Sequence, residues 1–141
     1  MMKGFLAQSL MRFLVCMVFA MVALQAAAEE SKSSTEPAAP APTALVGRWQ
    51  RPDGGYILQF SDPVFDGRLK AAYFNPRPIH VARAAWKQQN GYLGVFVELR
   101  APNYPGSTYT LAYDSTRDCL VGIYYQDAMQ REFQVEFERI P

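Results

Sequence analysis

The 141 residues of this chain leave room for one domain once the ends are set aside, because single domains usually run to about 100–150 residues. Half of the residues are hydrophobic and 19% are charged, with 8 Tyr and 9 Phe, a composition that excludes disorder throughout and leans toward β structure. The 14 basic residues nearly balance 13 acidic ones, and Arg48, Arg51, Arg68, Arg77, Arg100 and Arg139 are scattered instead of clustered, so nothing points to nucleic acid as a partner.

The amino terminus reads as a secretory signal. Lys3 and Arg12 give it a positive start, Phe13 to Leu24 form an apolar run, and Ala26-Ala27-Ala28 supplies an A-x-A cleavage pattern before Glu29. Cleavage after Ala28 is expected, which places the mature chain in the periplasm or outside the cell, with no stable membrane insertion. The apolar run is shorter than the roughly 20 residues that span a bilayer, and an uncleaved anchor is the alternative. Cys16 lies inside that run, not at its end, so it does not read as a lipidation site. Residues 29–43, EESKSSTEPAAPAPT, hold no large apolar side chain and read as a disordered Pro/Ala/Ser linker.

From residue 44 to residue 141, turn signals recur at short intervals, among them Pro52-Asp53-Gly54-Gly55, Asp66-Gly67, Asn75-Pro76, Asn90-Gly91 and Pro105-Gly106. Eight strands are predicted between them, near 45–51, 55–61, 68–74, 79–89, 92–100, 107–113, 119–126 and 131–139. Period-two alternation puts Phe133, Val135, Phe137 and Arg139 on one face of the last strand, and Leu93, Val95, Val97 and Leu99 on one face of the fifth. The fourth does not alternate, which predicts a bulge near Ala82 to Ala85. Short links without a helical period favour an all-β fold closed as a small up-and-down antiparallel barrel. A two-sheet β-sandwich is the runner-up.

Gly47-Arg48-Trp49 resembles the G-x-W that opens calycin barrels, the lipocalins and avidins, and Asp66-Gly67-Arg68-Leu69 with Tyr73 resembles the avidin D-G-x-L-x-x-x-Y run. The resemblance implies that Gly47, Trp49 and Arg139 are structural, with Arg139 packed over Trp49 as a cation on a ring face. It does not carry biotin binding, because the positions where avidins place an amide and a hydroxyl hold Arg51 and Gly55. The chain is also similar to short exported bacterial proteins, which implies no activity.

No catalytic residue is assigned and no enzyme is expected. His80 is the single histidine, Cys119 the single mature thiol, and the two are too few ligands for a transition-metal site, so no metal or cofactor is expected either. Cys119 has no partner for a disulfide and reads as a small packed hydrophobe. The expected function is non-catalytic binding of a small molecule at the barrel mouth, with aromatic walls from Tyr73, Trp86, Tyr109 and Tyr124 and polar contacts from Arg51, Arg77 and His80. The open end is expected near Arg77 and His80. The alternative is a solid barrel that meets a protein or envelope partner through the stiff loops 75–78 and 101–106.

Overall fold

The computed structural model describes residues 38–141, so the expected signal and most of the expected linker lie outside the described residues. The chain forms one antiparallel sheet that is nearly closed into a barrel, not the two-sheet sandwich. Its strands are β1 (Gly47–Gln50), β2 (Ile57–Ser61), β3 (Lys70–Asn75), β4 (Arg77–Ile79), β5 (Val81–Gln89), β6 (Tyr92–Ala101), β7 (Tyr104–Asp114), β8 (Cys119–Gln126) and β9 (Arg131–Ile140). Neighbours run β4-β3-β2-β1-β9-β8-β7-β6-β5, so strands adjacent in sequence pair with each other except β4 with β5, and β1 pairs with β9.

Nine strands stand where eight were expected, because the expected fourth strand breaks at His80. Residues before the break pair with β3, as in Tyr73 opposite Ile79, and residues after it pair with β6, as in Val81 opposite Leu99. One segment thus leaves one neighbour to join the other, and Pro78 has no N–H to extend the first ladder. The irregularity expected in this segment falls at Ala82, where the register passes from Val81–Leu99 to Arg83–Glu98 and two residues oppose one.

Closure comes from β3 and β5, which meet at their ends only. At one end the hairpin Asn75–Arg77 turns β3 into β4, which leads on to β5, and at the other, just before β3, Trp86 N donates to Gly67 O at 2.8 Å beside the isolated bridge Arg68–Ala85. Turn chemistry sets the remaining registers. Asn90 and Gly91 adopt φ of 52° and 77°, the left-handed pair that a tight β5–β6 hairpin requires and that Asn-Gly supplies at least strain.

Alternation fills the interior. Leu93, Val95, Val97 and Leu99 of β6 are buried, as are Val135 and Phe137 of β9 and Leu69 and Tyr73 around β3. The largest fully buried side chains are Trp49, Tyr73, Tyr109, Phe60 and Phe137, so aromatic rings occupy the middle of the barrel. Tyr109 stacks on Tyr124 with centroids 4.6 Å apart and meets the Phe137 ring edge-on at 5.4 Å.

One end of the barrel is plugged. A 3-10 turn at Pro42–Leu45, which straddles the expected linker boundary, inserts fully buried Leu45, and Trp49 Nε1 donates to Leu45 O at 2.9 Å. Arg139 lies over the Trp49 ring, its guanidinium carbon 4.0 Å from the centroid. Its Nη1 and Nη2 donate to Val46 O and Ala44 O, while Nε and Nη2 also bind Asp118. Gly47 is required beside this arrangement, since its φ is 134° and a Cβ would sit 2.7 Å from Arg139 Nη1. Among the described residues no helix is long and apolar enough to cross a membrane.

Candidate functional site

The unplugged end is ringed by the β1–β2 turn, the β3–β4 hairpin, the β6–β7 hairpin and the 3-10 turn Asp127–Met129. Period two decides what points into it. Arg51 continues the inward row of Trp49, Tyr56 that of Leu58 and Phe60, Asn75 that of Tyr73, and Gln126 that of Tyr124. Where these rows run past the packed rings they leave a pocket of about 350 Å³, lined by polar groups from Arg51, Asn75, Asn103 and Gln126 and by the rings of Tyr56, Tyr73, Tyr104, Tyr124 and Phe133.

Polar geometry within the pocket is specific. The hydroxyls of Tyr73 and Tyr109 lie 3.1 Å apart, and Asn75 Nδ2 donates to the Tyr104 hydroxyl at 2.6 Å. The Arg51 side chain, 12% exposed, lies over the Tyr56 ring with its guanidinium carbon 4.6 Å from the centroid. Its Nε donates to Asp53 Oδ1 at 2.8 Å and its Nη2 to Asp53 Oδ2. Burial works against the Arg51 charge, but bonds to Asp53 and to the Tyr109 hydroxyl outweigh it, so the proton is held more firmly than in a free guanidinium.

Burial pushes the Tyr109 hydroxyl up to about 12, with the bonds from Tyr73 and Arg51 pulling the other way, and burial likewise raises Tyr73 and Tyr124. All three remain neutral donors at ordinary pH. A group whose folded value is raised stabilises the fold below its unfolded value and loses that contribution as pH rises through its folded value. The protein is therefore expected to lose stability from about pH 10 upward, near the unperturbed tyrosine value. The tyrosinate absorbance of these three should develop only with unfolding. A single early rise would contradict their burial.

Of the seven residues expected to bind, the fold brings Arg51, Tyr73, Tyr109 and Tyr124 together at this mouth, with fully buried Tyr109 backing the pocket behind its wall. Arg77 and His80 stand apart. Arg77 pairs with Asn75 across the rim hairpin and is exposed, and His80 is exposed at the strand break, where its carbonyl accepts from Arg100 N at 3.0 Å. The open end is therefore next to Arg77, but the pocket is lined without it. Trp86 lies towards the plugged end of β5, held by Nε1 donating to Val64 O at 2.9 Å. Cys119 is buried at the end of β8 remote from the mouth, and burial raises its thiol.

Tyr56, Asn75, Asn103, Tyr104, Gln126 and Phe133 belong to the pocket without having been singled out in the sequence. Parity extended from Leu58 to Tyr56 and from Tyr124 to Gln126 was the available signal. Asn103 lies in a loop, where parity carries no information. Among the described residues, no three His, Cys, Asp or Glu side chains gather as a metal would need. Comparison of the chain with family models, curated proteins and solved structures found no match.

Proposed function

We propose that this chain is an exported, non-catalytic binding module that holds a small molecule in the mouth pocket. The observation that carries the reading is the asymmetry of the two barrel ends: Leu45, Trp49 and Arg139 plug one, while the other keeps a pocket of about 350 Å³ with a half-buried guanidinium and several neutral donors. A few polar groups set among aromatic walls are what fixes the orientation of a small ligand. The calycin resemblance supports the same reading through architecture, since a barrel of this size accommodates side chains and at most one small ligand. Export rests on the order of charge, apolar run and small residues in the first 28 positions.

The test is native mass spectrometry of protein recovered from the exported fraction, alongside a thermal-shift screen of small metabolites. Hits should stabilise the wild type and lose their effect in Gln126→Trp, which fills the pocket from its rim. Hits that survive this substitution would place binding elsewhere.

A further inference from the structure

Two arginines lie on the inward rows of the barrel, one at each end, and they are used differently. Arg139 gives Nε, Nη1 and Nη2 bonds to Asp118, Val46 O and Ala44 O, so the protein itself consumes its fork. Arg51 makes side-chain bonds to one carboxylate, that of Asp53, and the rest of its donor set faces the Tyr109 hydroxyl and the pocket. The tyrosine pair adds a further donor. Tyr73 lines the pocket and Tyr109 does not, so with Tyr109 donating across their contact the Tyr73 O–H is left to give.

Asp53 is an unusual partner for so enclosed a cation. Its side chain is 63% exposed while that of Arg51 is 12% exposed, and it reaches back from the turn Pro52-Asp53-Gly54-Gly55. Nothing lies within 4 Å of where a Cβ on Gly55 would be, so the turn has room there, whereas Gly54 packs on the Tyr56 ring, 2.5 Å from where its Cβ would be. An ion pair whose carboxylate stands this far in solvent contributes little net stability. The Asp53 carboxylate nevertheless already shows which ligand group matches the fork, since a planar carboxylate takes two parallel N–H bonds from Arg.

Building on the mouth pocket as the binding site, we infer that its ligand is a small carboxylate that seats on Arg51 by exchanging with Asp53, the turn acting as a built-in competitor. One cation released from one carboxylate serves one negative charge, which favours a monocarboxylate over a dianion. The remaining body of the ligand lies against the rings of Tyr56, Tyr124 and Phe133, with the Tyr73 hydroxyl donating to its second acceptor. A pocket of about 350 Å³ holds about a dozen water-sized groups, and the buried rings of Trp49, Phe60 and Phe137 leave no space for a long chain below it.

The experiment compares benzoate with its neutral isostere benzamide on the full chain, by calorimetric titration and thermal shift. Benzoate should bind and benzamide should not. Arg51→Gln should weaken benzoate about tenfold or more, the scale of hydrogen bonds to a charged group, with Arg51→Lys retaining part of the affinity. Asp53→Asn should strengthen benzoate about two- to fivefold, because the competitor is removed. Melting of each variant without ligand shows whether it is folded. A weaker benzoate complex in Asp53→Asn would make Asp53 a positioning partner of Arg51 and overturn the exchange. Benzoate that binds neither wild type nor Asp53→Asn overturns the carboxylate assignment. Neutral compounds that bind indifferently to Arg51 and are lost in Gln126→Trp would overturn the assignment and leave the mouth reading intact, whereas benzoate binding that survives Gln126→Trp overturns both.

Discussion

Trp49→Ala is expected to lower the unfolding free energy by about 3–5 kcal/mol, the range for removing a large aromatic side chain from a packed core. Trp49 is fully buried, and several independent contacts converge on it. Its indole N–H satisfies Leu45 O at the plug, its ring meets Tyr113 edge-on at 6.0 Å, and its face carries the Arg139 guanidinium. Truncation would remove the ring, strand the Leu45 carbonyl and leave Arg139 above a void. Relaxation is restricted because β1 is held on both sides, by β2 and by β9. Trp49→Phe should retain most of the packing and lose the N–H bond, so a smaller loss is expected. Urea titration checks both. A loss below about 1 kcal/mol for the alanine variant, within what ordinary surface changes approach, would show that the plug does not hold this end together.

Gly122→Ala is the second large effect, and the chemistry of the substitution looks harmless. A Cβ at Gly122 would lie 2.1 Å from Thr110 O and 2.9 Å from Leu111 Cα, both atoms of the β7 backbone that Gly122 pairs against. Neither belongs to a side chain that can swing aside. The methyl group therefore forces β7 and β8 apart where the barrel wall is continuous, and a loss of about 3 kcal/mol is expected, at the upper end of overpacking costs. Gly55→Ala is the matched control, because nothing lies within 4 Å of its Cβ position and its effect should stay within about 0.5 kcal/mol. Equal melting temperatures for the two variants would contradict the close approach of β7 and β8.

How far the sequence disclosed this molecule depended on whether a residue sits in a regular ladder. In β6 and β9 strict alternation marked the buried rows directly, since one face must meet the core and a one-residue slip would turn all of it to solvent. The fourth predicted strand broke the pattern for a physical reason, the exchange of partners at His80 followed by the extra residue Ala82. Arg51, Tyr73, Tyr109 and Tyr124 were legible as inward residues near strand ends. That they share one pocket was not, because the shear of the sheet decides which strand ends meet. Arg77 and Trp86 were chosen by residue type, and both lie outside the pocket lining, the first exposed on the rim hairpin and the second held towards the other end by the Val64 carbonyl. The unremarkable Asp53 escaped notice because an Asp in a Pro-Asp-Gly turn reads as turn chemistry.

Backbone amide NMR during titration with a pool of small fragments tests whether the mouth binds. Chemical-shift changes should concentrate at Arg51, Tyr56, Tyr73, Tyr104, Tyr124 and Gln126. The plug around Leu45, Trp49 and Arg139 should stay unchanged. The strongest competing surface is the outer groove beside Phe96, where Trp86, Tyr92 and Gly94 border a larger, solvent-facing hollow. Shifts confined to that groove, or absent from every mouth residue across the pool, would contradict the account.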